Sequence, residues 1–536
     1  MTRPLKTLDE YEATVPSSSC SPEVILNSED LGGGTLSGRP AEPITLLRTI
    51  FSFPGMLATC LLGGVLFATK GFHVDPDMWW HIKVGDAILK THTWPTTDTY
   101  SFTVSGQPWL AYEWLGEIAL ALANRLGGIL GLEILLFALA GGIMLALYGL
   151  ATAHSRNSKA AFVACAVLLP LASVSFSLRP QMLGYLFLIL TLLALERFRQ
   201  GKYKALWFVP LMMLLWVNTH GSWIIGLGAI FVYWVSGLVG LRLGGLESKR
   251  WTERERITIS GIFLLSLAAL PFTPYGPRIA ASPFEYAFSL PLNSASIIEW
   301  QAMPFQLASG KIFLALLLAT LLLLAVGYYH WRLENLALFL FGTMMACLHV
   351  RFLLIFVPVF APLLAAFFAP WVPRYDRRKD KFLLNSILMA AAVAAMIHFF
   401  PSRAALQKSV AGDFPVAAVD YLRKHPVSEP MYDNYGFGGY LVWSRGPEHK
   451  VFIDGRGDVY ERGGVLEDYL HISRVKPGAL SVLDNYGIES CLIDRDEPLG
   501  TLLSASSKWH RVYVDSVSTI FVREGKSREA SPGVRN

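Results

Sequence analysis

Apolar and polar stretches alternate along this chain in long blocks. Apolar runs near the length that crosses a bilayer core, about 20 residues, recur at 51–69, 128–150, 160–176, 181–196, 205–217, 221–241, 257–271, 311–329, 335–348, 351–369 and 382–400. They predict about 11 transmembrane helices. The polar connections between them are of two kinds. One kind is basic: Arg156 and Lys159, Arg197 to Lys204, Lys249 to Arg256, Arg332, and Arg374 to Lys381. The other kind, at 70–127, 177–180, 218–222, 272–310 and 349–350, is poor in lysine and arginine for its length. The two alternate without a break. Because lysine and arginine are retained on the cytoplasmic side, the amino terminus is expected inside. Loops 70–127 and 272–310, and everything after about residue 401, are expected outside.

Three stretches depart from the apolar rhythm. Residues 1–48 are polar and hold Pro16–Ser19 and Gly32–Gly34, and read as a disordered cytoplasmic tail, as does 525–536 at the other end. Arg48 before the first apolar run fits an uncleaved signal-anchor. Within loop 70–127, Trp79 to Thr91 has helical spacing with Trp80, Val84, Ala87 and Ile88 on one side, and Tyr112 to Leu126 is a second amphipathic helix carrying Glu113 and Glu117. Such helices are expected to lie along the membrane surface, with Trp79 and Trp80 at headgroup depth. Past residue 401 the pattern becomes that of a soluble domain. An amphipathic helix at Phe414–His425, short strands at 451–453, 490–493, 511–514 and 519–522, and helical patterns at 478–485 and 498–505 predict a small α/β domain over 401–524. The fold class is thus an α-helical polytopic membrane protein over 49–400, followed by a periplasmic α/β domain.

Composition agrees. Of 536 residues 53% are hydrophobic and only 16% charged, with a mean hydropathy of +0.41, whereas soluble chains carry roughly a quarter charged residues. The formal charge of +5 resides in short connections and marks topology, not a nucleic-acid surface. The five cysteines are scattered, with no CxxC pair and no disulfide framework.

The residues suited to chemistry gather at the outer ends of the apolar runs. Asp75-Pro76-Asp77-Met78-Trp79-Trp80-His81 opens the first long loop; Glu113, Arg179, His220, Arg278, Glu299 and Arg351 come from further connections. Each alone reads as a snorkelling or loop-end residue. Together they suggest transfer from a phosphorylated lipid. Guanidinium groups such as Arg179, Arg278 and Arg351 bind phosphate in a bidentate fork, and a carboxylate can take the proton of an acceptor hydroxyl. Asp75 and Asp77 can share a proton, bind a divalent cation (Mg2+ or Mn2+), or divide the roles of base and orienter. Nothing like H-x-x-x-H supports a zinc site. The glycine-rich Tyr435–Tyr440 lacks the Lys-Ser/Thr of a phosphate loop and reads as a turn leading into a strand at Tyr440–Trp443. Asp454-Gly455-Arg456 either faces the membrane site or is a plain turn.

The order of elements resembles the GT-C superfamily of integral membrane glycosyltransferases. Within it the chain is most similar to the bacterial protein-mannosyltransferase and aminoarabinose-transferase-like group, including RgtA/B/C/D-like proteins. The residues that carry the resemblance are Asp75–His81 with Gly85, Tyr112–Leu115, Arg179–Gln181 and Asn218–Gly221. It implies an enzyme of the bacterial inner membrane that uses a polyprenyl-phosphate sugar, inverts the anomeric centre, and takes an aspartate of the first external loop as base, here Asp75 or Asp77. It also implies a glycan, lipid or protein acceptor, with His81, Glu113, Arg179, His220, Arg278, Glu299 and Arg351 as substrate-binding candidates. In many members the acidic pair is contiguous; here Pro76 separates it, and the second-loop signature of better-known transferases is not recognisable. A transporter or flippase of a lipid-linked or small polar substrate, and a non-catalytic membrane scaffold, are the alternatives.

Overall fold

The computed structural model describes residues 43–70, 75–296, 298–325 and 330–524. His73, Val74, the tail up to residue 42 and the tail at 525–536 lie outside the described residues. Met1–Leu47 is one unit, of which only the start of a helix, Pro43–Ile50, is described; Arg48–Asn536 is a second, compact unit. That helix replaces the end of the tail expected to be unstructured. Ile44, Leu47 and Ile50 recur every third residue behind Pro43, a spacing and start that favour a helix.

Every apolar run carries a helix: Phe53–Thr69, Ile129–Ser155, Ser158–Ser173, Gln181–Arg199, Val209–Val217, Trp223–Ser236, Glu253–Ala269, Ala308–Ala325, Leu333–Leu348, Leu353–Phe368 and Phe382–Phe399. Among the described residues four helical stretches are long and apolar enough to cross a membrane: Ile129–Ser155, Gln181–Arg199, Val350–Phe368 and Phe382–Phe399. Leu353–Phe368 is the most enclosed. It packs against Ser158–Ser173, Ile129–Ser155 and Leu333–Leu348, and Phe356 stacks on Phe360 with ring centroids 4.9 Å apart.

The basic connections are tied by ion pairs. Arg199 grips Glu334 with two bonds of 2.8 and 3.1 Å and lies 3.6 Å over the Trp251 ring. Arg332 holds Glu196 at 2.9 and 3.2 Å. A small sheet of Leu241–Leu243, Leu246–Ser248 and Trp331–Arg332 stands here too, where the apolar run was expected to continue to residue 241.

In the first long loop the two expected helices form, at Pro76–Thr91 and Trp114–Gly127. They cross closely: a methyl group on Gly85 would lie 2.1 Å from the Glu117 carbonyl oxygen. The Pro76–Thr91 helix does not lie on a surface with one wet face. Met78 to Ile82 are all buried. Trp79 packs edge-on to Phe414 and Tyr440, at 5.6 and 5.2 Å, and 4.6 Å from Trp443. Aromatic pairs of this geometry contribute about 0.5–1.5 kcal/mol each beyond area burial. The tryptophans are therefore core residues rather than headgroup anchors, because the C-terminal segment covers the second face of their helix.

That segment, 401–524, expected as a soluble domain of its own, packs into the same compact unit as the helices. Its sheet runs Met431–Asp433, Ser490–Asp494, Ser518–Arg523, Trp509–Val514 in spatial order; the first pair is parallel and the others antiparallel. Val451–Ile453 is not in that sheet; Val451 instead bridges Ser101 of the first loop. Tyr435–Arg445 is a helix, not a turn and strand. Asn434 caps it by accepting the Gly436 N–H at 2.8 Å. Its glycines answer to neighbours: a methyl on Gly438 would sit 1.9 Å from the Ile453 carbonyl oxygen, and one on Gly439 2.4 Å from that of Pro76.

Candidate active site

Asp75 caps the Pro76–Thr91 helix, its carboxylate accepting the Asp77 backbone N–H at 2.9 Å. Pro76 occupies the first turn, where no N–H is required. The cap places Asp77 and His81 one turn apart on the same face. Arg179 approaches from the short connection before Gln181–Arg199. Pro180 is seated so tightly on Gly116 that a methyl there would meet its Cβ at 2.6 Å. The guanidinium meets three carboxylates: Nε pairs with Asp75, Nη2 lies 3.1 Å from Asp77 and Nη1 3.1 Å from Glu299.

A second group alternates carboxyl and imidazole. Glu117 Oε1 is 3.3 Å from His81 Nδ1; His81 Nε2 is 3.5 Å from Glu113 Oε2; Glu113 Oε1 is 3.4 Å from His220 Nε2. His220 Nδ1 accepts the Ser222 backbone N–H at 3.1 Å, which puts the ring proton on Nε2, facing Glu113. Asn218 fixes this corner: its side chain accepts from Trp114 Nε1 at 2.8 Å and donates to the Phe272 carbonyl at 3.0 Å.

These groups enclose a cavity of about 160 Å³. Asp77, His81, Glu113, Arg179, His220, Glu299 and Arg351 all line it. Asp75 stands behind Asp77, bonded to its backbone and to Arg179. Arg278 does not line it; it is exposed in the turn Gly276–Ala281. Arg351 lies 4.5 Å over the Trp300 ring, with Nη2 3.3 Å from Gln181 Oε1. Among the described residues it pairs with no carboxylate.

Part of the wall comes from the C-terminal segment and was not expected from its residues: Tyr435, Gly457 and Asp458, with Gly455 and Arg456 from the stretch whose role was left open. Arg456 is buried and pairs with Asp98 and Asp454 at 2.6 Å each. Thr103 donates to the Phe452 carbonyl at 2.6 Å, and Glu461 accepts from Asn293 Nδ2 at 2.6 Å. Both long external-type loops are thereby tied to this wall. Trp80, Trp109, Tyr112, Glu117, Gln181, Asn293 and Trp300 also line the cavity. Of these Glu117 had a signal in the sequence, four residues after Glu113 and so on the same helix face.

Burial sets the protonation states. It raises the Asp77 carboxyl to about 7 against the pull of Arg179, with Asp75 and Glu299 adding to the rise. It raises Glu113 to about 8, opposed by Arg351 and Arg179, and lifts Glu117 well above its usual range. It holds His81 well below its usual value and His220 at about 3, with nearby arginines adding to both. The imidazoles are thus neutral at pH 7, and burial favours the protonated forms of Glu113 and Glu117.

A divalent cation on Asp75 and Asp77 does not fit this arrangement. One Asp75 oxygen accepts a backbone N–H, and the other faces Arg179. Among the described residues no group of three or more His, Cys, Asp or Glu could hold a metal ion.

No protein-family model and no curated protein matches the chain. Solved structures do. The chain is similar to ArnT from Cupriavidus metallidurans, at 14% identity and a TM-score of 0.49, over 87% of this chain and 96% of that one. It is similar to an oligosaccharyltransferase from Archaeoglobus fulgidus, at 10% identity and 0.48, over 82% and 69%. It is similar to the arabinofuranosyltransferase AftD from Mycobacteria, at 13% and 0.46, over 88% and 41%. All three are GT-C glycosyltransferases. ArnT has also been solved bound to undecaprenyl phosphate, and the archaeal enzyme in complex with Zn and sulfate.

Proposed function

We propose that the protein is an integral membrane glycosyltransferase that moves a sugar from a polyprenyl-phosphate donor to an acceptor hydroxyl, with inversion, on the outer face of the bacterial inner membrane. In this reading the eleven helices span the bilayer, the amino terminus is cytoplasmic and the C-terminal segment is periplasmic. The observation that carries it is one cavity holding an aspartate raised to about 7 and an arginine that, among the described residues, has no carboxylate partner.

Asp77 is the base. Its carboxylate faces the cavity, whereas both oxygens of Asp75 are engaged in holding the helix cap and Arg179. A value near neutrality suits a group that must take a proton at pH 7. The acceptor O–H gives its proton to Asp77 as its oxygen attacks the anomeric carbon. The bond from that carbon to the phosphate oxygen breaks, and the electron pair leaves with the lipid phosphate. Arg351 meets the phosphate charge. Trp80, Trp109, Tyr112, Trp300 and Tyr435 supply apolar faces for the sugar ring.

Every ionisable group of the cavity comes from a connection, a helix end or the first-loop helices, and none from the middle of an apolar helix. That placement favours an enzyme over a transporter, whose ionisable groups gather near the bilayer midplane. The test is transfer from radiolabelled polyprenyl-phosphate pentoses and hexoses in proteoliposomes. Asp77→Asn is expected to lose about 10²–10⁴-fold in turnover. Asp75→Asn is expected to lose stability as well as rate. Wild-type rates in Asp77→Asn would remove Asp77 from the mechanism.

A further inference from the structure

We infer that the Arg179 guanidinium is the resident cation of this site: it stands where an acidic pair would otherwise gather a divalent metal ion, and it positions Asp77 rather than binding the lipid phosphate. The inference rests on the proposed function only for its kinetic arm.

Three observations carry it. First, the guanidinium is surrounded by carboxylates. A guanidinium presents its N–H groups as forks in one plane, and here each nitrogen faces a different carboxylate: Nε Asp75, Nη2 Asp77, Nη1 Glu299. Three carboxylates already balance its charge, so a phosphate seeking an open guanidinium edge for two parallel bonds would meet three like charges here. Arg351, with one amide oxygen and one indole face as partners, has such an edge.

Second, the carboxylates are arranged for N–H donors. Asp75 uses one oxygen for the Asp77 backbone N–H and the other for Arg179. Asp77 turns Oδ2 to Arg179, while Oδ1 lies against Gly455, where an added methyl would be 1.6 Å from it. One oxygen of Asp77 is thereby anchored on Arg179, and the other stands beside Gly455 and Trp80 in the cavity wall.

Third, Arg179 is itself held. It leaves a turn closed by its own N–H on the Ser177 carbonyl at 2.8 Å, followed by Pro180 against Gly116. Its charge is therefore fixed in place, as a bound ion would be, but cannot exchange with solvent. Chelators should leave the site intact.

Two measurements on the full-length protein in detergent test this. The first is Mn2+ binding by electron paramagnetic resonance, which needs no substrate. Wild type is expected to show no saturable Mn2+ site. Arg179→Ala, which leaves Asp75, Asp77 and Glu299 around a vacated position, is expected to gain one, lost again when Asp77→Asn is added. Saturable Mn2+ in wild type that Asp77→Asn removes would overturn the inference. So would a folded Arg179→Ala that gains no Mn2+. If Arg179→Ala does not fold, Arg179→Met takes its place, and the wild-type measurement decides regardless.

The second is kinetic. Arg179→Lys keeps the charge but cannot reach three carboxylates at once. It is expected to lower kcat by about 10²-fold, the order expected for a base misplaced by about 1 Å, with KM for the polyprenyl-phosphate sugar unchanged and wild-type turnover indifferent to EDTA. A raised KM at unchanged kcat would make Arg179 the phosphate ligand instead. If wild type transfers no sugar at all, the proposed function fails while the Mn2+ result still judges Arg179.

Discussion

Replacing Gly455 by alanine tests whether the C-terminal wall sets the position of the Asp77 carboxylate, the proposed base. The added Cβ would lie 1.6 Å from Asp77 Oδ1, 2.6 Å from Asp77 Cγ and 3.0 Å from Trp80 Nε1. Non-bonded heavy atoms settle at about 3.5 Å, so the Asp77 oxygen must retreat by roughly 2 Å. Trp80, buried between His81 and Trp109, has little room to give. The retreat also stretches the 3.1 Å contact from Asp77 to Arg179. Overpacking of this kind costs about 1–3 kcal/mol of stability, and a displaced base costs about 10²-fold in kcat, or ~2.7 kcal/mol of barrier. The donor phosphate lies at the Arg351 end in this reading, so KM should stay put. Thermal unfolding in detergent and turnover in proteoliposomes measure the two effects. A double-mutant cycle then isolates the contact: in an Asp77→Ala background only the 3.0 Å approach to Trp80 Nε1 remains, and Gly455→Ala should cost much less stability. A Gly455→Ala protein that turns over at the wild-type rate, or that is equally destabilised with and without the Asp77 carboxylate, refutes the reasoning.

Arg351→Ala should weaken binding of undecaprenyl phosphate by at least about tenfold, the loss of one charge-assisted contact of about 1.5–3 kcal/mol, as read by competition against a labelled lipid phosphate. If Asp77 is the base as proposed, the value of kcat/KM should rise as pH climbs through about 7, where its carboxyl sheds its proton; the Asp77→Asn residual rate should lack that limb. Stability should move the opposite way. Asp77 and Glu113 bind protons more tightly folded, at about 7 and about 8, than at their usual 3.8 and 4.5. Their contribution is therefore complete below about pH 4 and lost as pH rises through 7 and 8, so the unfolding temperature should fall across that range and fall less in Glu113→Gln. Arg456→Ala leaves Asp98 and Asp454, both buried, without their countercharge, and should cost about 3–5 kcal/mol, measured as a lowered unfolding temperature.

The helices were legible because burying backbone in lipid or core demands long apolar runs, and each run from 51–69 to 382–400 carries one. The membrane-end residues were legible as a class, since an ionisable group beside an apolar run is costly unless it has a partner. What the sequence could not show was the partner. Arg179 meets Asp75, Asp77 and Glu299, and no periodicity reports contacts over a hundred residues apart. Arg278 had the same local credentials as Arg351, yet only the latter lines the cavity. The helix Tyr435–Arg445 was hidden for a related reason. Glycine is a poor helix former, but Gly438 and Gly439 are there to admit Ile453 and Pro76, a tertiary requirement that overrides local preference. Trp79 read as a surface anchor because its covering partners, Phe414, Tyr440 and Trp443, are encoded more than 300 positions away.

The wall formed by Tyr435 and Gly455 to Asp458 has a consequence for how the protein is made. A ribosome delivers the residues from Asp77 to Arg351 first, and this wall only afterwards. Through most of synthesis, then, the cavity lacks a side: Asp77 has no Gly455 against it, and Asp98 has no Arg456. On the proposed function, a nascent chain already threaded into the membrane would be inert. Catalytic competence would arrive as a late, all-at-once event, when the end of the chain docks onto helices that have been waiting for it.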